Sequence, residues 1–277
     1  MDRSMQLKDE KLGNILTNMN KVVIAFSGGI DSTFLLKRAQ QELGDNVLAV
    51  VVASELFREE EFDGAVALAE KMGVRVIKTE MKELDNPSIV ANTLESWYHS
   101  KNMLYDQLNT IAAENNISYV LDGMIMDDLD DFRPGLKART EAGVRSLLQE
   151  VNLYKQEIRD LSRQMNIPIW NKPASCSLAS RFPYGTTLTR EKINRVNEAE
   201  LFLMDTGFEV VRVRDHEDVA RIEVLPEKIG ELVEKREQIQ RKLQELGFTY
   251  VSIDLEGYRT GSMNETLPTE KIKVNAG

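Results

Sequence analysis

The apolar run Val22-Val23-Ile24-Ala25-Phe26 leads without a break into Ser27-Gly28-Gly29-Ile30-Asp31-Ser32, and a helical pattern starts at once with Thr33-Phe34-Leu35-Leu36-Lys37. An unbroken apolar strand is one buried on both faces, and a strand feeding a helix through a tight glycine turn opens a βαβ unit. The chain then repeats that plan. Apolar runs follow at Val47 to Ala53, Val74 to Ile77 and Tyr119 to Leu121, separated by helical periodicity over residues 31–43, 58–72 and 93–115. Leu7, Leu12, Ile15 and Leu16 predict one more helix, over 7–19, ahead of the first strand. The alternation predicts an α/β fold with a doubly wound parallel sheet.

At 277 residues the chain exceeds one ordinary domain. Helices are predicted at 140–149 and 155–165. Next comes Asn171 to Thr187, rich in Ser, Ala, Pro and Gly, which reads as a long connecting loop. A helix at 189–205, strands at 208–215 and 219–225, a helix at 227–246 and a strand at 250–256 predict a second, smaller α+β domain. The division expected is 1–170 for the first domain, 171–187 for the loop, 188–264 for the second domain and 265–277 for a tail. A net charge of −10 disfavours bulk binding of nucleic acid or anionic lipid. The single cysteine, Cys176, excludes an internal disulfide or a Cys-x-x-Cys zinc site and fits a reducing cytoplasm. No 18-residue apolar run and no apolar leader occur, so neither export nor a membrane span is expected.

The glycine junction carries the chemistry. Gly28 and Gly29 let the backbone approach an anion, and the following helix N-terminus offers unpaired N–H groups and a positive dipole end. Ser27 and Ser32 add hydroxyls, and Asp31 either caps the helix or holds a cation that offsets phosphate charge. A plain strand-turn-helix is the alternative. No G-x-x-x-x-G-K-[ST] or G-x-G-x-x-G pattern occurs, which weighs against γ-phosphoryl and hydride transfer. On those residues the segment resembles the PP-loop of the N-type ATP pyrophosphatases. The resemblance implies cleavage of ATP between its α and β phosphates and adenylation of a substrate oxygen, with Mg²⁺ assisting.

Longer stretches narrow this further. Ser54-Glu55-Leu56-Phe57, Leu121-Asp122-Gly123-Met124, Phe132-Arg133-Pro134-Gly135-Leu136-Lys137-Ala138, Glu141 to Ser146, Pro173-Ala174-Ser175-Cys176-Ser177 and Ser180 to Thr186 resemble the LarE family, sulfur transferases of nickel-pincer nucleotide synthesis. So do Val211 to Arg214 and Ala220 to Glu223. The resemblance implies a pyridinium-3,5-biscarboxylic acid mononucleotide substrate, adenylated by ATP. The Cys176 thiolate then displaces AMP and gives up its sulfur, leaving dehydroalanine. It also implies nucleotide contacts at Ser27, Gly28, Gly29, Asp31, Ser32, Ser54 and Gly123, and a homo-oligomer, a hexamer in relatives.

For individual residues, structural readings stand beside functional ones. A lone cysteine is usually a small buried apolar residue, but Cys176 lies in a polar loop with Lys172 and Arg181 near in sequence, cations able to activate a thiolate. Ser180 and Arg181 are candidates to hold substrate phosphate or carboxylate, or merely to brace the loop. Arg212 and Arg214, two apart on a predicted strand, share a face and can fork onto one phosphate; a solvated strand face is the alternative. By analogy with LarE, Glu200 and Glu223 are candidate metal ligands, against the plainer reading of exposed carboxylates. Trp97 is a candidate to stack on a pyridinium or adenine ring, or packs its helix. Asp127, Asp128, Asp130 and Asp131 form a solvated acidic loop or approach Mg²⁺. His99 and His216 are given no catalytic part. Competing functions are a PP-loop amide-forming ligase, a tRNA thiolase and a nucleotide sensor without turnover.

Overall fold

The computed structural model describes residues 3–129, 135–171, 176–259 and 261–263. The described residues form two compact units, one from those within Met1–Lys82 and Trp97–Ser175 and one from those within Glu83–Ser96 and Cys176–Thr269. The excursion Glu83–Ser96 joins the second unit although it lies inside the first unit's stretch of chain, so a single cut near residue 170 does not describe the packing.

The first unit runs α1 (Arg3–Met19), β1 (Val22–Ala25), α2 (Ile30–Leu43), β2 (Val47–Ser54), α3 (Glu59–Lys71) and β3 (Arg75–Met81). After the excursion, which carries α4 (Pro87–Val90), come α5 (Ser96–Glu114), β4 (Val120–Leu121), α6 (Gly135–Glu141), α7 (Leu147–Glu150) and α8 (Lys155–Gln164). The four strands are parallel in the order β3-β2-β1-β4. Alternate strand residues feed opposite faces. Val22 and Ile24 pack with α1, α2, α3 and α8 residues such as Leu12, Leu36, Ala65 and Ile158. Val23 packs on the other side with Tyr105, Leu108 and Ile111 of α5. Helices therefore cover both faces, the doubly wound arrangement expected. The order reverses at β1, and ligands of such sheets bind at that switch point, beyond the carboxyl ends of the strands.

One expected helix, 140–149, is instead two short ones. Gly143, at φ 68, ends α6, and Arg145 then runs extended to bridge Leu121 in parallel. The periodicity straddled that stop.

The second unit runs from Cys176 through α9 (Arg190–Asp205), β5 (Val211–His216), β6 (Val219–Val224), α10 (Ile229–Glu234), α11 (Arg236–Glu245) and β7 (Tyr250–Ile253). β5 and β6 are an antiparallel hairpin, and β7 joins β6 in parallel. Ile193, Val196 and Leu203 of α9 are buried, as are Val213, Ala220 and Ile222 of the sheet. The single helix expected over 227–246 breaks at Lys235, whose ammonium bonds the Thr206 carbonyl and Glu231. The expected loop 171–187 is firmly moored where described. It makes a 3₁₀ turn over Leu178–Arg181, buries Leu178, Ala179 and Phe182, and bonds the excursion through Gly185 N to Asn92 O and Leu188 N to Val90 O. Lys172 to Ser175, Asp130, Asp131, Phe132 to Pro134 and the tail lie outside the described residues. Among the described residues no helix is long and apolar enough to cross a membrane.

Candidate functional sites

The first site is the β1–α2 junction. Gly28 stands at φ 68, and a Cβ there would lie 2.8 Å from the Ala65 Cβ, so only glycine suits both its backbone and its space. α2 begins after Gly29 with no side-chain cap, which leaves its first-turn amides open to an anion. Asp31 is thus not the cap the sequence allowed for. Ser27 Oγ and Ser32 Oγ are 3.1 Å apart, and Ser32 Oγ and Thr33 Oγ1 both donate to the Gly29 carbonyl, at 3.1 and 2.7 Å. The loop after β4 comes close. A Cβ on Gly123 would sit 2.8 Å from Ser32 N, so the absence of a side chain there is what allows the approach. Beside it, buried Asp122 accepts from Tyr105 Oη at 2.8 Å, from Met124 N at 3.2 Å and from Ser146 Oγ, which fixes where that loop leaves the sheet. Ser54, at the end of β2, accepts from Leu56 N at 3.1 Å and shapes its turn. Trp97 is half-buried near the start of α5.

Asp31 is electrostatically unusual. Burial is the largest influence on its carboxyl and raises it above the ordinary carboxylate range, helped by Asp128 and Asp127 and opposed by Lys155. Lys155 Nζ lies 2.7 Å from Oδ2, while Oδ1 is buried with no hydrogen-bond partner. An orphaned carboxylate oxygen beside an anion-binding turn is a suitable Mg²⁺ ligand, since Mg²⁺ commonly takes one or two carboxylates and completes its shell with phosphates and water. Three acidic or imidazole groups do not converge among the described residues, so Asp31 would hold the ion together with the nucleotide rather than in a protein cage. Lys155, 124 positions away, has no sequence signal that ties it to this turn.

The second site surrounds Cys176, which is exposed. Arg181 is held in a network of its own. Its side chain is 2% exposed, pairs bidentately with Glu200 at 2.9 Å in both contacts, and donates to the carbonyls of Cys176 and Ser177 and to Ser180 Oγ. Arg214 is likewise consumed. It forks onto Glu223 at 3.0 and 2.7 Å and donates to Ser180 O and Ser262 Oγ. Glu200 also accepts from Val213 N of the edge strand β5, and Glu223 also meets Arg221.

Three expectations bear on these residues. Glu200 and Glu223 are not the exposed carboxylates of the plainer reading, because both are 0% exposed and each is paired with an arginine through both oxygens. Arg212 and Arg214 do share a strand face, but they are not equivalent, because Arg214 is already engaged by Glu223, Ser180 and Ser262. Arg181 braces the cysteine loop through the Cys176 and Ser177 carbonyls, the bracing reading of the two the sequence offered.

Arg212 differs. Half-buried, with its guanidinium 5.1 Å from the Tyr258 ring centroid, it bonds the Val211 carbonyl at 2.7 Å. Burial and then Arg181 push it below its usual range, while Glu200, Tyr258 and the Cys176 sulfur pull the other way. Among the described residues, Arg212 is thus one cation on which the Cys176 sulfur acts.

The sequence profile of the NAD synthase family matches residues 10–115, the stretch carrying the glycine junction. A glutamine-hydrolyzing GMP synthase chain of Sulfurisphaera tokodaii is 26% identical over 62% of this chain and 51% of its own length. An uncharacterized protein of Synechocystis is 39% identical over 95% of this chain and 99% of its own. The pyridinium-3,5-bisthiocarboxylic acid mononucleotide synthase of Lactiplantibacillus plantarum is 51% identical over 99% of both chains. Since that likeness runs end to end, through the glycine junction and the cysteine unit alike, the chain belongs to the pyridinium-3,5-bisthiocarboxylic acid mononucleotide synthase (LarE) family.

Proposed function

We propose that the protein is an ATP-dependent sulfur transferase that converts a carboxylate of pyridinium-3,5-biscarboxylic acid mononucleotide to a thiocarboxylate with the sulfur of Cys176. The observation that carries this is the presence, in one chain of this family, of an uncapped glycine turn at Ser27–Ser32 and of a sole, exposed cysteine that acts electrostatically on half-buried Arg212. A carboxylate is a poor electrophile until one oxygen leaves. The glycine turn and the α2 amides bind the phosphates of ATP, and the substrate carboxylate takes the α-phosphate with release of pyrophosphate. Asp31 would hold Mg²⁺, which when bound offsets phosphate charge.

Attack by the Cys176 thiolate on the acyl carbon then releases AMP and leaves a thioester. Removal of the Cys176 Cα proton breaks the Cβ–S bond, so the product departs as a thiocarboxylate and residue 176 becomes dehydroalanine. Arg212 supports the thiolate or the substrate phosphate, and Arg181 holds the loop that carries it. With one cysteine in the chain, one sulfur is available per molecule.

Intact-mass measurement tests this. Incubation with ATP, Mg²⁺ and the dicarboxylate nucleotide should lower the protein mass by one H₂S at position 176, and Cys176→Ala should bind ATP yet transfer nothing. Repeated turnover at unchanged mass without added thiol would refute it; turnover only with added sulfide would point to a recycled persulfide.

A further inference from the structure

Lys155 is the first residue of α8, where a cation opposes the helix dipole, so helix stability does not account for it. Its backbone is moored, with Lys155 N donating to Asp127 Oδ2 at 2.8 Å, while its side chain spans to Asp31. Both partners are partly exposed, at 28% and 23%. The bond is also incomplete, since Oδ1 of Asp31 is buried without a partner. A carboxylate meant only to brace α2 against α8 would be satisfied on both oxygens, as Glu200 and Glu223 are. A lysine, a point charge on a flexible stem, leaves half of the carboxylate for something else and can let go of the rest.

The turn's own chemistry supplies the reason to let go. A polyphosphate at the α2 N-terminus brings several negative charges next to Asp31, with Asp127 and Asp128 already acting on it, and positive charge must come from somewhere. We propose that Lys155 is the phosphate-binding cation of this site, held on Asp31 until a nucleotide arrives, then moved to its phosphates as the divalent cation takes the carboxylate. This rests on the nucleotide reading above.

The test is calorimetry with Mg²⁺-ATP and with inorganic pyrophosphate, together with Mn²⁺ alone followed by electron paramagnetic resonance, on wild type and Lys155→Gln. Loss of one charge-assisted contact should weaken both phosphate ligands about ten- to hundred-fold. Mn²⁺ alone should bind the variant more tightly, because Asp31 no longer has an internal cation. A plain structural ion pair predicts the Mn²⁺ change and a lower Tm but no loss of phosphate affinity, and phosphate affinities within about twofold of wild type overturn the proposal. Should Lys155→Gln fail to fold, Lys155→Arg keeps the ion pair with a fork that releases less readily. It should lose phosphate affinity several-fold at undiminished Tm, and unchanged affinity overturns the proposal there too. A wild-type protein that binds neither Mg²⁺-ATP nor pyrophosphate overturns the nucleotide reading itself.

Discussion

Asp31 in the first unit and Glu200 in the second are both carboxylates withdrawn from water beside a cation, yet Asp31 has an oxygen with no partner while Glu200 meets Arg181 twice and an amide besides. The contrast extends to their surroundings. The glycine junction leaves amides uncapped and a lysine on only one carboxylate oxygen, whereas around Cys176 the arginines 181 and 214 are each engaged by a carboxylate, a carbonyl and a hydroxyl. A site that must bind and release a charged ligand keeps hydrogen-bonding capacity in reserve. A platform that must hold one sulfur in place spends it internally. Buried ion pairs add little net stability over apolar packing, so their value here is geometric.

The sharpest way to break this comparison is to open the saturated side. Arg181→Met strands Glu200, at 0% exposed, with no guanidinium, and unfolding in urea should show a loss of about 3–5 kcal/mol. The double change Arg181→Met with Glu200→Leu should recover much of that loss but release the Cys176 loop, seen as faster amide exchange at Ser177 and Ser180. Arg214→Ala should cost less, because Arg221 stays on Glu223. Full stability in the single Arg181 variant would mean the pair is not closed in solution.

Arg212 separates binding from folding on that same strand face. Its replacement by Ala should cost roughly 1.5–3 kcal/mol of affinity for the pyridinium nucleotide, the range for a contact to a charged group, with ATP affinity barely changed. Unaltered substrate binding would remove it from the site. On the nucleotide side, Gly123→Ala forces a methyl against the Ser32 backbone at 2.8 Å. The expected cost is about 1–3 kcal/mol of stability from local overpacking, with weaker ATP binding because α2's first turn must shift.

What could be read from the sequence was what is local. The β1 run, the glycine turn and α2 are contiguous, so periodicity and two glycines sufficed to predict the strand, the turn and the helix that the structure shows. The ion pairs are remote in sequence, 124 positions for Asp31 with Lys155 and 19 for Arg181 with Glu200, and no spacing rule reaches them. Signals nonetheless existed. Glu200 falls into the apolar stripe Ile193, Val196, Leu203 of α9, and a charge in such a stripe implies a buried partner. Lys155 at a helix start is similarly out of place for the dipole. Treating Arg212 and Arg214 as equals failed because strand alternation gives the face a side chain occupies, and says nothing of which carboxylates already share that face.

The smallest effect on stability tests the open side most directly. Burial, the largest influence on Asp31, raises its carboxyl above the value of the unfolded chain, despite Lys155. Between those two values the folded state binds more protons than the unfolded one, so this residue makes stability fall as pH rises through that window and withholds it at neutral pH. Asp31→Asn removes the charge and keeps the shape. Near pH 7 the variant should therefore be as stable as wild type or more so, by about 0.5 kcal/mol or somewhat above. Its advantage should shrink as the pH is lowered through the raised value, where wild-type Asp31 takes up its proton. Pyrophosphate release, by contrast, should be lost at every pH. Urea titrations of both proteins from pH 4 to 8 make the comparison. A variant less stable at pH 7, with the deficit vanishing in acid, would show that the Lys155 contact outweighs burial and that Asp31 belongs with Glu200 after all, as a bracing carboxylate rather than one held open for a ligand.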